Sequence, residues 1–135
     1  MKTCIACGVA KEVDEFYRVS RPGDRRQSRC RACYNRKSNA AKAVRIRNNA
    51  GWVNLIRLAG ECVDCGALHT AKNVLEFDHI DPATKVRCIS ELVWMGYPWS
   101  TIRDELAKVQ LRCNRCHNAK TTRMGERGQK KKEDV

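Results

Sequence analysis

The sequence predicts a small α+β protein held together by bound zinc rather than by a large apolar core. Three observations carry that expectation. The chain has 135 residues of which 6% are aromatic and 31% charged, so its core is thin, and small units of this kind need a staple. Eight of its nine cysteines fall into C-x2-C doublets: Cys4 with Cys7, Cys30 with Cys33, Cys62 with Cys65, and Cys113 with Cys116. Between the two sets of doublets the apolar residues recur at helical spacing, and inside the second set lies a short strand-like run.

The doublets define two sites. A C-x2-C turn points two thiolates at one centre, and two such turns complete the tetrahedron that structural zinc prefers. Each site would contribute folding free energy on the scale of the ~10–16 kcal/mol apparent affinity of zinc-finger peptides. Four doublets in one basic chain favour two structural zinc ions over disulfides or a redox pair. The chain shows no charged start leading into an apolar stretch with a cleavage site, and no run long enough to span a bilayer. A soluble, cytoplasmic protein in a reducing compartment is therefore expected. The ninth cysteine, Cys88, lies between Val86 and Ile89 and reads as a small buried hydrophobe.

The N-terminal module is expected over 1–36. Residues 37–60 read as a basic helical linker: Ala40, Ala41, Ala43 and Val44 alternate with Arg and Lys, then Trp52, Leu55, Ile56 and Ala59 recur at helical spacing before Gly60 stops the helix. A second module covers 61–124. In it 75–80 reads as a strand, and Asp81-Pro82 opens a loop. Ser90 is placed to cap a short helix ending at Gly96. Thr101 with Asp104 resembles a capping box for a further helix bearing Ile102, Leu106 and Val109 on one face, followed by an extended piece at 110–112. The stretch CNRCHNAKTTR should begin a last helix. The basic tail 125–135, with Lys130, Lys131 and Lys132, lacks apolar periodicity and is expected to be disordered.

Charge narrows the partner. The formal net charge is +12, and from Arg25 to Gly60 there are ten Lys or Arg residues and no acid. Such a field favours a polyanion. No basic helix with a bulky apolar face accompanies it, which argues against a membrane surface and for nucleic acid. Arg36, Lys37, Lys42, Arg45 and Arg47 are the expected backbone-phosphate contacts.

The stretch LEFDHIDP, 75–82, sets an acid and an imidazole side by side in an apolar run. Strand alternation sends Asp78 and His79 to opposite faces. His117 follows Cys116 directly, so a zinc site at Cys62, Cys65, Cys113 and Cys116 would pin the strand and the last helix together and bring His117 near Asp78. These two offer an oxygen and a nitrogen to a second, open metal site, with His79 free to take a proton from water. His69, in the loop after Cys65, reads as a surface or zinc-loop residue.

LEFDHIDP followed by LRCNRCHNAKT resembles the HNH nucleases of the ββα-metal superfamily, particularly small phage-encoded ones with a Cys4 zinc. The N-terminal CIACGVAKEVDEFYR with CRACYN is similar to zinc modules of recombination endonuclease VII-like proteins. The resemblance implies a ββα-metal module that cuts or nicks DNA and takes no small-molecule substrate. It implies His79 as general base, and Asp78 and His117 as ligands of a catalytic divalent cation such as Mg²⁺ or Mn²⁺. The products would carry 5′-phosphate and 3′-hydroxyl ends. Lys120 would touch the scissile phosphate. The family's middle asparagine is missing: 89–112 contains no Asn, so Gln110, Asn114, Asn118 or a backbone carbonyl would orient the base. If the gene is phage-borne, the protein acts in the host cytoplasm. Two other readings stand: a non-catalytic double-zinc nucleic-acid-binding protein, and a junction-resolving nuclease whose N-terminal module supports a homodimer.

Overall fold

In a computed structural model that describes residues 1–20, 23 and 25–123, the chain divides into two units, Met1–Val44 and Arg45 onward. The expectation of a disordered tail over 125–135 lies outside the described residues. Secondary structure in both units is mixed α and β.

In the first unit β1 (Lys2–Thr3) and β2 (Ala10–Lys11) pair antiparallel around the CIACG turn. Gly8 closes that turn at φ 70°, a conformation glycine adopts without steric cost. β3 (Phe16–Arg18) then pairs antiparallel with β4 (Arg26–Cys30), Phe16 lying opposite Cys30. Helix α1 (Arg31–Ala59) begins at once, so Cys30 ends a strand and Cys33 occupies the first helical turn. The buried cluster consists of Cys4, Phe16, Cys30 and Cys33. A core with one large side chain cannot offset the chain's conformational entropy by burial alone, which is why the thiols matter.

The boundary between the units falls within α1. In the second unit α1 buries Asn49 and Val53, one turn apart, while Trp52, Leu55 and Ile56 are exposed. β5 (Leu75–His79) pairs antiparallel with β6 (Val109–Cys113), Leu75 opposite Cys113 and His79 opposite Val109. α2 (Ile89–Trp94) and α3 (Trp99–Leu106) lie between the two strands in sequence, and α4 (Asn114–Arg123) follows β6 directly. Val53, Ile89, Leu92, Val93 and Ile102 form the core, with Phe77, Tyr97, Leu106 and Val109 packed on it.

Several local expectations change. Ser90 lies inside α2, and the cap position belongs to Cys88, because Ile89, Leu92 and Val93 must all face inward. Cys88 is consequently exposed rather than buried. Gly96, at φ 72°, ends α2: the Tyr97 N–H reaches the Leu92 carbonyl at 3.0 Å and the Gly96 N–H reaches that of Val93 at 3.0 Å, a Schellman closure. Helix α3 starts after Pro98, whose φ of −56° suits helix entry, so Thr101 falls in its first turn and caps nothing. Val109 belongs to β6, where pairing with β5 overrides the helical register.

The two units share one construction. CIACG and CVDCG are followed by QSRCRACYNRKS and QLRCNRCHNAKT, in which Gln, Arg, both Cys, Asn and Lys recur at the same steps. The Ile5 N–H bonds the Ser28 carbonyl at 3.1 Å and the Val63 N–H that of Leu111 at 2.9 Å, while Gly8 and Gly66 each donate back to the first cysteine of their turn. Phe16 and Leu75, each opposite the cysteine that ends the second strand, are both fully buried.

Candidate functional site

Two tetracysteine groups can hold metal. Cys4, Cys7, Cys30 and Cys33 bring their sulfurs within 4.8 Å of one another, and so do Cys62, Cys65, Cys113 and Cys116. Among the described residues these are the only groups of three or more such ligands so placed. The thiols are free, and the Sγ atoms of Cys65 and Cys113 are 3.8 Å apart. That separation fits the edge of a tetrahedron with metal–sulfur distances of ~2.3 Å. Backbone N–H groups of Cys30 and Ala6 point at Cys4 Sγ at 3.3 and 3.4 Å. The Cys30 amide is the main cause that brings the Cys4 thiol down to about 6, while the bond to the Cys30 thiol pushes Cys33 up to about 12.

The second tetracysteine group pins the end of β6 and the first turn of α4 beside the start of β5. On β5, Leu75, Phe77 and His79 point to one face and Glu76 and Asp78 to the other. His117 lies between the two acids: its Nδ1 meets Glu76 Oε2 at 2.5 Å and its Nε2 is 3.6 Å from Asp78 Oδ1. Two donors that are each ~2.1 Å from one ion stand ~3.0–3.4 Å apart, so Asp78 and His117 need shift only a few tenths of an ångström to share a divalent ion. Glu76, missed in the sequence, holds the imidazole by its other nitrogen, as carboxylates do for histidines that ligate a metal. Its signal was positional, since Glu76 and Asp78 share a strand face.

The other Asp78 oxygen, Oδ2, accepts from Arg112 Nη1 and from Lys120 Nζ at 2.8 Å. Lys120 also donates to the His79 carbonyl at 3.1 Å. Burial pushes the Asp78 carboxyl up, but the Lys120 and Arg112 hydrogen bonds outweigh it and hold it below the usual carboxylate range. Arg112 reaches Asp64 as well, its Nε at 2.6 Å from Oδ2.

His79 occupies the packed face. Its side chain is 7% exposed, and its Nε2 sits 2.7 Å from Oε1 of Glu105, which is 4% exposed. The same oxygen accepts the Val86 N–H at 2.9 Å, and Lys108 Nζ donates to Oε2 at 2.8 Å. Burial alone would raise the Glu105 carboxyl, yet the bonds from Lys108, Val86 and His79 bring it down to about 2. A charged carboxylate only accepts, so Nε2 donates to Oε1 and Nδ1 is the ring nitrogen that Glu105 does not engage. Glu105, and not Gln110, Asn114 or Asn118, is the side chain that holds the His79 ring. Gln110 lies beside Arg112, and Asn114 and Asn118 bond each other on α4.

The remaining expected residues are distributed as follows. Arg36, Lys37, Lys42 and Arg47 are exposed on α1, and Arg45 donates from Nε to the Gly96 carbonyl at 2.7 Å. His69 Nδ1 accepts the Leu75 N–H at 3.0 Å and so anchors the start of β5. Among the described residues no helix is long and apolar enough to cross a membrane. In comparisons with known proteins, no family model, no curated protein and no solved structure matches the chain.

Proposed function

We propose that the protein is a metal-dependent HNH-type endonuclease of the ββα-metal class, acting on DNA, with zinc in both tetracysteine groups. The observation that carries this reading is the convergence of Asp78 Oδ1 and His117 Nε2, with Glu76 holding the imidazole by its other nitrogen. A divalent ion held by these two donors would supply charge stabilisation to the pentacovalent phosphate and the leaving oxygen. The chain's own residues do the rest. His79 takes water's proton at Nδ1 while the water oxygen bonds to phosphorus and the bond to the 3′ oxygen breaks. That oxygen takes a proton from solvent, leaving 5′-phosphate and 3′-hydroxyl ends. Glu105 accepts from Nε2 throughout and steadies the imidazolium, and Lys120 would meet the phosphate by exchanging its bond to Asp78 for one to a phosphate oxygen.

One observation favours a second reading. Asp78 is already paired with two cations, and His79 and Glu105 are nearly closed to solvent, which would suit a structural ion network in a non-catalytic nucleic-acid-binding protein. Supercoiled plasmid incubated with Mg²⁺ or Mn²⁺ separates the two. Under the nuclease reading wild type nicks or linearises it, and His79→Ala abolishes cleavage while zinc content and DNA binding persist. Asp78→Ala and His117→Ala lose activity that higher divalent concentration partly restores. Wild type inactive in every divalent metal tried, or a fully active His79→Ala protein, would sink the nuclease assignment.

A further inference from the structure

We infer that the groove between β4 and the start of α1 in the N-terminal unit binds single-stranded nucleic acid. It encloses about 470 Å³, and Gln27, Ser28, Arg29, Tyr34, Lys37 and Ser38 supply most of its wall. That volume lies in the ~300–1,000 Å³ range of ligand-sized sites.

The shared construction of the two units shows what distinguishes this groove. Arg29, Tyr34 and Lys37 stand at the steps occupied in the second unit by Arg112, His117 and Lys120, and Ala6 stands at that of Asp64. In the second unit the corresponding pocket is lined by Asp64, Arg112, Lys120 and Arg123, and its cations are engaged: Arg112 with Asp64 and Asp78, Lys120 with Asp78. In the first unit no acid stands at the corresponding positions. Ala6 replaces one, and Phe16, Tyr17 and Arg18 of β3 include no carboxylate. Arg29 and Lys37 accordingly make no ion pair among the described residues. Two cations held on a folded frame without a counter-charge suit successive phosphates.

Tyr34 decides which polyanion. Its residue is 44% exposed, and its ring is held edge-to-face by Tyr17, with centroids 5.3 Å apart and planes at 69°. Tyr17 is itself fixed, donating from its hydroxyl to Asn35 Oδ1 at 3.0 Å and lying under the Arg31 guanidinium at 5.2 Å. An exposed ring held in place is a stacking platform for an unpaired base, whereas a duplex keeps its base faces covered. Only Lys37 belongs to the basic helical surface expected from sequence. The binding does not depend on the Asp78 site being active.

The test uses the full chain loaded with zinc and no other divalent metal, so that binding is read without cleavage. Fluorescence anisotropy compares a labelled oligothymidylate with a hairpin duplex. Tyr34→Ala is expected to weaken single-strand binding about tenfold and duplex binding hardly at all, while Tyr34→Phe binds like wild type. The double variant Arg29→Gln with Lys37→Gln should lower the slope of log affinity against log salt by ~1.4 for the single strand. Zinc content confirms that each variant is folded. Unchanged single-strand affinity in Tyr34→Ala overturns the inference, as does equal loss for duplex and single strand. A Tyr34→Phe variant as weak as Tyr34→Ala, or an unchanged salt slope in the double variant, does so too.

Discussion

Replacing Glu105 by alanine should destabilise the second unit far more than loss of one surface charge would. The carboxylate accepts from His79 Nε2 at 2.7 Å, the Val86 N–H at 2.9 Å and Lys108 Nζ at 2.8 Å. With Glu105 and His79 only 4% and 7% exposed, water cannot readily replace it. Breaking a buried charged pair costs ~3–5 kcal/mol, whereas a single unsatisfied buried group costs ~1–3. In a domain of 60–100 residues each kcal/mol moves Tm by ~4–8 °C, so even the lower bound gives a drop of more than ~10 °C. Thermal unfolding at neutral pH, followed by the fluorescence of Trp94 and Trp99 with zinc in excess, measures it. Glu105→Gln keeps an oxygen for His79 and Val86 and should lose only ~1–2 kcal/mol. A Glu105→Ala protein melting within ~3 °C of wild type would refute the reasoning. The pH dependence has a definite sign. The Glu105 carboxyl is lowered from 4.5 to about 2, so its contribution is complete above pH 4.5 and is lost as pH falls through 2. Acid also protonates the thiolates of the tetracysteine groups, so the readout is the difference between wild type and Glu105→Gln, which should shrink over that window.

Metal analysis should return two zinc ions per chain and mass spectrometry no cystine. Cys113→Ser should leave one ion, since each tetracysteine group draws its ligands from a single unit. In the zinc-loaded protein an alkylating reagent should label Cys88 alone, because it is exposed and belongs to neither group; labelling of the doublets instead would refute both statements. At Gly60 an added Cβ would lie 2.2 Å from Leu111 Cδ1 and 3.2 Å from the Ile56 carbonyl oxygen. Gly60→Ala should therefore cost ~1–3 kcal/mol by overpacking. Leu111→Ala should recover part of that cost in the double variant, and strict additivity of the two changes in urea melts would contradict the contact.

How much of this was legible in the sequence depended on how local the determining physics was. Metal ligation by C-x2-C is local and chemically specific, so both tetracysteine groups could be read from spacing. Alternation of Leu75, Phe77 and His79 against Glu76 and Asp78 is likewise local, and strand β5 forms where it was expected. Helix caps were less legible: the starts of α2 and α3 are set by which apolar residues reach the core and by Pro98, not by the nearest hydroxyl. The neighbours of Cys88 predict that it is buried, yet the burial of Ile89, Leu92 and Val93 turns it outward. The repeat linking the units was present in the letters but acquired meaning only when equivalent hydrogen bonds and burial coincided.

By itself, then, the sequence determined the two tetracysteine groups, the mixed secondary structure, the basic character of α1 and the adjacency of Asp78 and His79, because composition and short-range periodicity suffice for each. Tertiary structure alone decided the partners. Glu105 is 26 residues from the histidine it holds, Glu76 is 41 from His117, and Arg112 is 34 from Asp78. Such pairs form only after β5 and β6 align and α3 and α4 pack beside them. A charged side chain in sequence carries no mark of which opposite charge the fold will set against it, nor, as at Arg29 and Lys37, of whether it will meet one at all among the described residues.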